Sequence, residues 1–237
     1  MKYLILLFIS LLLSVGDLLA QVDKPGAPNL PAFDEKRIRF GFLIGLNFSD
    51  FRVVNSGART PENEYNARYA EVLAVTPGLN VGMVANLRLA KRWDLRFSPG
   101  INFAQRDLSY IDEKGVVEEK ALAIKSTYLE FPLLFKYSAR RIHNFKPFLV
   151  GGFAVRYDLA KNKKDGILLN GLDSYLEFGG GFDSYMNLFR LTTEARISIG
   201  MRNIIDKNGS IEPEAIYYTQ AIDRLTSRIF LITFYFQ

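Results

Sequence analysis

Residues 190–202 read RLTTEARISIGMR, and their alternation decides the fold. Leu191, Ala195, Ile197, Ile199 and Met201 fall on one parity; Arg190, Thr192, Glu194, Arg196, Ser198, Gly200 and Arg202 fall on the other. A period of two puts these sets on opposite faces of a β-strand. One face is apolar, and the other carries charges of both signs among small residues.

Working outward, the same scheme recurs. In 37–48, Ile38, Phe40, Phe42, Ile44, Leu46 and Phe48 alternate with a mostly small or polar set. Similar alternation fills 78–89, 93–106, 129–137, 145–158 and 175–183. The last stretch, 226–237, is apolar on both faces; Phe230, Ile232, Phe234 and Phe236 are assigned outward. Eight antiparallel strands are therefore expected.

The direction of the apolar face separates two kinds of barrel. A soluble barrel turns its apolar face inward. Here the opposite face carries Arg96, Arg106, Glu130, Lys136, Arg156, Glu177, Asp183, Arg190, Glu194, Arg196 and Arg202. Eight strands leave a lumen only wide enough for side chains to fill. Opposite charges among glycines can fill such a space and pair with one another, whereas rows of Phe and Leu fit lipid outside. The expectation is an all-β, eight-stranded antiparallel transmembrane barrel of the outer-membrane kind.

The connections point the same way. Those near 90–92, 138–144 and 185–188 are short; those near 49–71, 107–123, 158–171 and 203–225 are long, and the two kinds alternate. Short periplasmic turns and long extracellular loops are the asymmetry of outer-membrane barrels. Pro99 and Pro132 fall inside strands, where a missing N–H predicts bulges.

The N-terminus fits export. Lys2, an apolar run over Leu4 to Leu13, and Ala20 before Gln21 read as a signal peptide over 1–20. Residues 21–36 hold three prolines and no periodicity, which reads as a periplasmic tether. The barrel domain is placed at 37–237.

Composition narrows the chemistry. The net charge of +5 is scattered, without the basic stripe that nucleic acid requires. The chain has no cysteine and one histidine, so no thiolate site is available and no transition-metal site or cofactor is expected. His143 lies in a short turn with no assignable catalytic partner. Glu177, Asp183 and Glu194 face many cations, and structural pairing explains them better than acid–base chemistry. No enzyme and no small-molecule substrate are expected.

Candidate partner contacts lie on both sides of the membrane. Lys91, Arg92, Arg140 and Arg141 form two basic pairs in the short turns, suited to lipid phosphates or to a periplasmic partner. Tyr65, Arg68, Tyr69, Tyr217 and Tyr218 lie in long connections, in a composition that suits protein contacts. Outer-membrane lipid surrounds a barrel expected to be monomeric.

Three stretches carry a family resemblance: RFGFLIGLN at 39–47, YLEFPLLFKY at 128–137 followed by PFLVGG at 147–152, and EFGGGFD at 177–183. They resemble the PorT family of Bacteroidota outer-membrane barrels over nearly all of 36–237. The resemblance implies a non-enzymatic accessory of the type IX secretion system, which also supports gliding motility, with other secretion proteins as partners. Two alternatives stay open: a generic OmpX- or OmpW-like barrel with a structural or small-solute role, and an outer-membrane enzyme.

Overall fold

The computed structural model describes residues 29–55, 68–112, 122–159, 170–205 and 222–237. The expected signal peptide, the start of the tether and the middles of the four long connections lie outside the described residues.

The alternating segments form ten strands: β1 (Ile38–Asn55), β2 (Arg68–Val75), β3 (Pro77–Arg88), β4 (Trp93–Phe97), β5 (Gly100–Asp112), β6 (Leu122–Ser138), β7 (Phe145–Asp158), β8 (Leu172–Tyr185), β9 (Arg190–Gly200) and β10 (Ile222–Phe236). β2 continues into β3, and β4 into β5, so the ten segments make eight staves. Every pairing between neighbours is antiparallel, and β1 closes the ring. Phe42 lies opposite Phe236 of β10 on one side and opposite Met83 of β3 on the other.

The barrel is apolar outside and polar inside. Phe40 is 73% exposed and Met83 68%, whereas Arg96, Arg156 and Glu177 are 0% exposed. In the last strand Phe230 and Phe234 point outward while Ile229, Leu231 and Tyr235 are buried, the assigned parity. The outward apolar row on β1 runs from Ile38 to Phe48. At about 3.4 Å per residue and a tilt near 40°, that row is about 25 Å tall, the thickness of an outer-membrane apolar band.

Several strands outrun this band. β1 continues to Asn55, β5 to Asp112, and β6 begins at Leu122, so the connections expected at 49–71 and 107–123 are partly strand. Backbone pairing needs no apolar alternation, and the sequence pattern therefore marks only the lipid-facing part of each stave.

The two mid-strand prolines do not make bulges. The register of β4 and β5 against β6 is unchanged across Ser98 and Pro99. Ser98 N–H donates to Pro132 O at 3.2 Å, and Met83 N–H donates to Pro99 O at 3.0 Å. Each proline still accepts a bond and simply returns none. The register shifts lie elsewhere, between Val72 and Ala74 and between Val54 and Asn55, in the arms above the band.

Small apolar clusters sit at two levels of the interior: Leu43, Val84 and Tyr235 in one, Ala154, Tyr175, Ile229 and Leu231 in the other. Charged side chains, with asparagines, serines, threonines and a few further apolar groups such as Leu134 and Phe148, occupy the remaining interior.

Candidate functional site

The lumen holds two sets of ion pairs, supplied by inward positions of six staves and by the segment preceding β1, and hydrogen bonds through Asn86 and Gln237 link Arg96 of one set to Arg190 of the other. Arg156 on β7 bridges Glu130 on β6 at 3.1 Å and Glu177 on β8 at 2.7 Å. Arg196 on β9 joins Glu177 at 3.1 Å to Glu194 at 3.2 Å. Arg96 on β4 reaches Glu194 across the barrel at 2.5 Å. Tyr235 O–H donates to Glu194 at 2.9 Å, and Ser198 O–H donates to Glu177 at 2.6 Å. Lower down, Lys136 pairs with Asp183 at 2.8 Å, and Thr192 O–H donates to the same carboxylate at 2.5 Å.

Aromatic rings fill the gaps between charges. Arg96 lies 4.5 Å from the Tyr235 ring centroid, Arg156 4.3 Å from Tyr175, and Lys136 3.7 Å from Phe148. The glycine run on β8 makes room for this layer. A Cβ on Gly181 would sit 2.0 Å from the Thr193 carbonyl oxygen and 3.0 Å from the Phe148 ring.

Among the described residues the ion pairs of the lumen and its mouth use seven cations and six carboxylates. The interior is therefore nearly neutral, with its charges committed to one another. Such pairs add little over an apolar filling, but removing one partner costs about 3–5 kcal/mol because the other is left buried.

The mouth at the short-turn end is covered by residues that the sequence assigned to a tether. Phe33–Glu35 form a 3-10 turn beneath the barrel. Tyr185 O–H donates to both carboxylate oxygens of Asp34 at 2.8 Å. Lys146 lies 3.2 Å from the same carboxylate, Arg190 3.8 Å and Arg39 4.0 Å. Burial by itself would raise the Asp34 carboxyl. Lys146, the bond from Tyr185 and Arg190 outweigh burial and hold it below the usual carboxylate range.

Further contacts pin the strap on either side of Asp34. The Phe33 ring meets Tyr185 edge-on at 6.4 Å and lies 4.8 Å from the Arg190 guanidinium. Arg141 stacks 3.6 Å over the Tyr185 ring and donates to the Asn29 carbonyl. Arg88 donates to the Asp34 carbonyl at 2.8 Å. Residues without any periodicity thus become a strap, because their partners exist only once the barrel has closed.

Of the eleven residues expected in the lumen, nine are buried there: Arg96, Glu130, Lys136, Arg156, Glu177, Asp183, Arg190, Glu194 and Arg196. Arg106 lies on β5, but its side chain is outside the described set. Arg202 does not join them. β9 ends at Gly200, and Arg202 is exposed in the bend beyond it. The expectation missed Arg39 and Asp94, a pair at 2.8 Å whose inward parity was visible, and Asp34, which carried no sequence signal.

In the short turns Lys91, Arg92 and Arg140 are exposed, while Arg141 is committed to the strap. His143 is exposed with φ 52° in the turn before Phe145. Arg68 and Tyr69 lie on β2, with side chains outside the described set. Tyr65, Tyr217 and Tyr218 lie outside the described residues.

Residues 19–206 match the family model described as "Outer membrane protein beta-barrel domain", and the chain belongs to that family. Among solved structures, the outer membrane protein OprG from Pseudomonas aeruginosa is similar at 18% identity, over 90% of this chain and 96% of that one, with a TM-score of 0.41. The NanC porin matches at 9% identity over 83% of this chain and 99% of its own, with a TM-score of 0.24. No curated protein matches the chain.

Proposed function

We propose that this member of the outer-membrane β-barrel family is a small, closed, non-enzymatic barrel with a structural role, not a solute conduit. Its short-turn end is taken to face the periplasm, as in barrels of this kind. The observation that carries the reading is the ion-paired filling of the lumen: a cluster from Glu130 to Arg96 and a lower one around Asp183, joined by hydrogen bonds through Asn86 and Gln237 and capped from below by the Asp34 strap. An eight-stave barrel filled in this way has no room for a water column. What it presents to the cell is its lipid-facing wall, its long outer connections and its basic periplasmic turns.

Deleting the gene and measuring two things together tests this reading. Entry of small hydrophilic solutes is expected to be unchanged, while resistance to detergents and large antibiotics falls. A loss of solute uptake with an intact barrier contradicts it.

A second, narrower reading is an accessory role in type IX secretion and gliding in a member of the Bacteroidota, reached through a cleaved signal peptide over 1–20. It is supported by the likeness of 39–47, Tyr128–Tyr137, 147–152 and 177–183 to PorT-family motifs, the first of these being the more specific. Under this reading the partner contacts lie either in the outer connections, with Tyr65, Arg68, Tyr69, Tyr217 and Tyr218, or at Lys91, Arg92 and Arg140 below. Shortening 56–67 or 206–221 to a tight turn while assaying cargo at the cell surface tests it. Full secretion after both changes, and after neutralising the three basic residues, excludes the accessory role.

A further inference from the structure

One seam of the barrel's outer edge carries three exposed arginines. Below the edge, Phe48 of β1 and Phe230 of β10 meet with ring centroids 6.3 Å apart and end the apolar band. Past them the β1–β10 register places Asp50 opposite Arg228, Arg52 opposite Thr226, and Val54 opposite Arg224. These residues share the outward parity of Phe48 and Phe230, and Arg52, Arg224 and Arg228 are exposed.

The other staves present different chemistry at this height. Their described outward side chains include Thr127, Tyr157, Leu159, Leu172, Ser174 and Met201, with Arg202 exposed in the bend after β9. Among the described residues the basic character is concentrated at the β1–β10 seam.

The spacing of the arginines calls for an anion. Arg52 has Arg228 and Arg224 as its two diagonal neighbours, at about 7–8 Å between backbone positions. Like charges at that distance repel, and the three arginines outnumber the described carboxylates beside them, Asp50 on the same face and Asp223 in the irregularity next to Arg224. Thr226, at the centre of the group, is 9% exposed although it points outward.

We propose that Arg52, Arg224 and Arg228 form a binding site for the phosphate group of an outer-leaflet lipid. Planar guanidinium groups bind phosphate oxygens in pairs, and their hydrocarbon stems lie against the apolar surface below. The site begins one outward position above the last aromatic pair, at about 7 Å along the strand, where headgroup phosphates meet the band. Its occupant is a lipid and not a free anion, because the same face continues downward as Phe48 and Phe230, which acyl chains cover. The site depends on the outer-membrane placement of the barrel and is independent of whether the lumen conducts.

The test uses the full-length protein in nanodiscs of zwitterionic phosphatidylcholine carrying a trace of fluorescent lipid A, with energy transfer from a dye on the protein. Lipid A is expected to concentrate around the wild type, and dephosphorylated lipid A is not. Replacing all three arginines by glutamine is expected to reduce the enrichment at least tenfold, with the heat-dependent gel shift kept as proof of folding. Inorganic phosphate at millimolar concentration is expected not to compete. If the triple variant does not fold, R52Q alone is expected to lower the enrichment and the triple lysine variant to keep part of it. Equal enrichment of lipid A and its dephosphorylated form overturns the proposal. So does a folded glutamine variant that retains lipid A like the wild type, which would mean that these arginines spend their charge on the chain's own acidic groups.

Discussion

Asp34 and Tyr185 stand 151 residues apart in the chain, yet the phenol donates to both oxygens of the carboxylate at 2.8 Å. This contact turns a proline-rich leader into the floor of the barrel. Its partners come from the feet of β7, β8, β9 and β1, so it forms only after the ring has closed.

The strap is expected to be held by charge and to open in acid. Asp34 has a depressed carboxyl in the folded state, against about 3.9 in an unfolded chain. Its contribution is therefore complete above the unfolded value and is lost as the pH falls through the lower folded one. The groups that face it are Lys146, Arg190, Arg39 and Tyr185. The chain has no cysteine, so a spin label on Ala32→Cys reports this segment alone. The label should be immobilised at pH 7 and mobile near pH 2 in the otherwise native barrel. With Asp34→Asn it should already be more mobile at pH 7. An immobilised label in that variant contradicts the account.

Much of the architecture is legible in the sequence, for a physical reason. In a lipid-facing stave the solvent on each side differs, so Ile197 and Arg196 must point opposite ways, and parity alone reveals the lumen. The arms above the band escape detection because both of their faces meet polar surroundings. Arg202 has the parity of Arg196 but follows the end of β9, where parity no longer assigns a face. Asp34 escapes because a strap has no repeat, and its meaning lies wholly in tertiary contacts.

Cutting one bridge of the lumen is expected to cost more than removing the whole bridge. Arg156→Ala takes from Glu130 its cation and leaves Glu177 with Arg196 alone, both carboxylates 1% exposed or less, and should destabilise the barrel by about 3–5 kcal/mol. A triple change, Arg156→Met with Glu130→Gln and Glu177→Gln, should recover most of that loss. Urea unfolding in detergent followed by tryptophan fluorescence compares them through Trp93. Equal loss in the single and triple variants would show that the packing of Arg156, not its charge, matters.

A charge on the outer wall tests which face meets lipid. Leu133 is 47% exposed at the middle of the β6 apolar row. Leu133→Arg should cost about 2–4 kcal/mol in a bilayer, where the midplane penalty is largest. The same change at exposed Leu159, above the band, should cost far less. Folding yield into vesicles measures both, and equal yields would place the apolar band elsewhere.

The closed ladder predicts a form that resists detergent. Unboiled protein should migrate apart from boiled protein, with β-type circular dichroism before heating. Identical migration together with a helical spectrum contradicts the ring.

The claim on which the account turns is that the lumen is shut. Its most direct measurement is the current through full-length protein reconstituted into planar bilayers at neutral pH in 1 M salt, with folding verified by the gel shift. A filled lumen gives a flat trace without stable steps. Reproducible porin-like steps from the folded wild type would contradict it, because they require a continuous water path through the layer held by Arg96, Arg156 and Arg196.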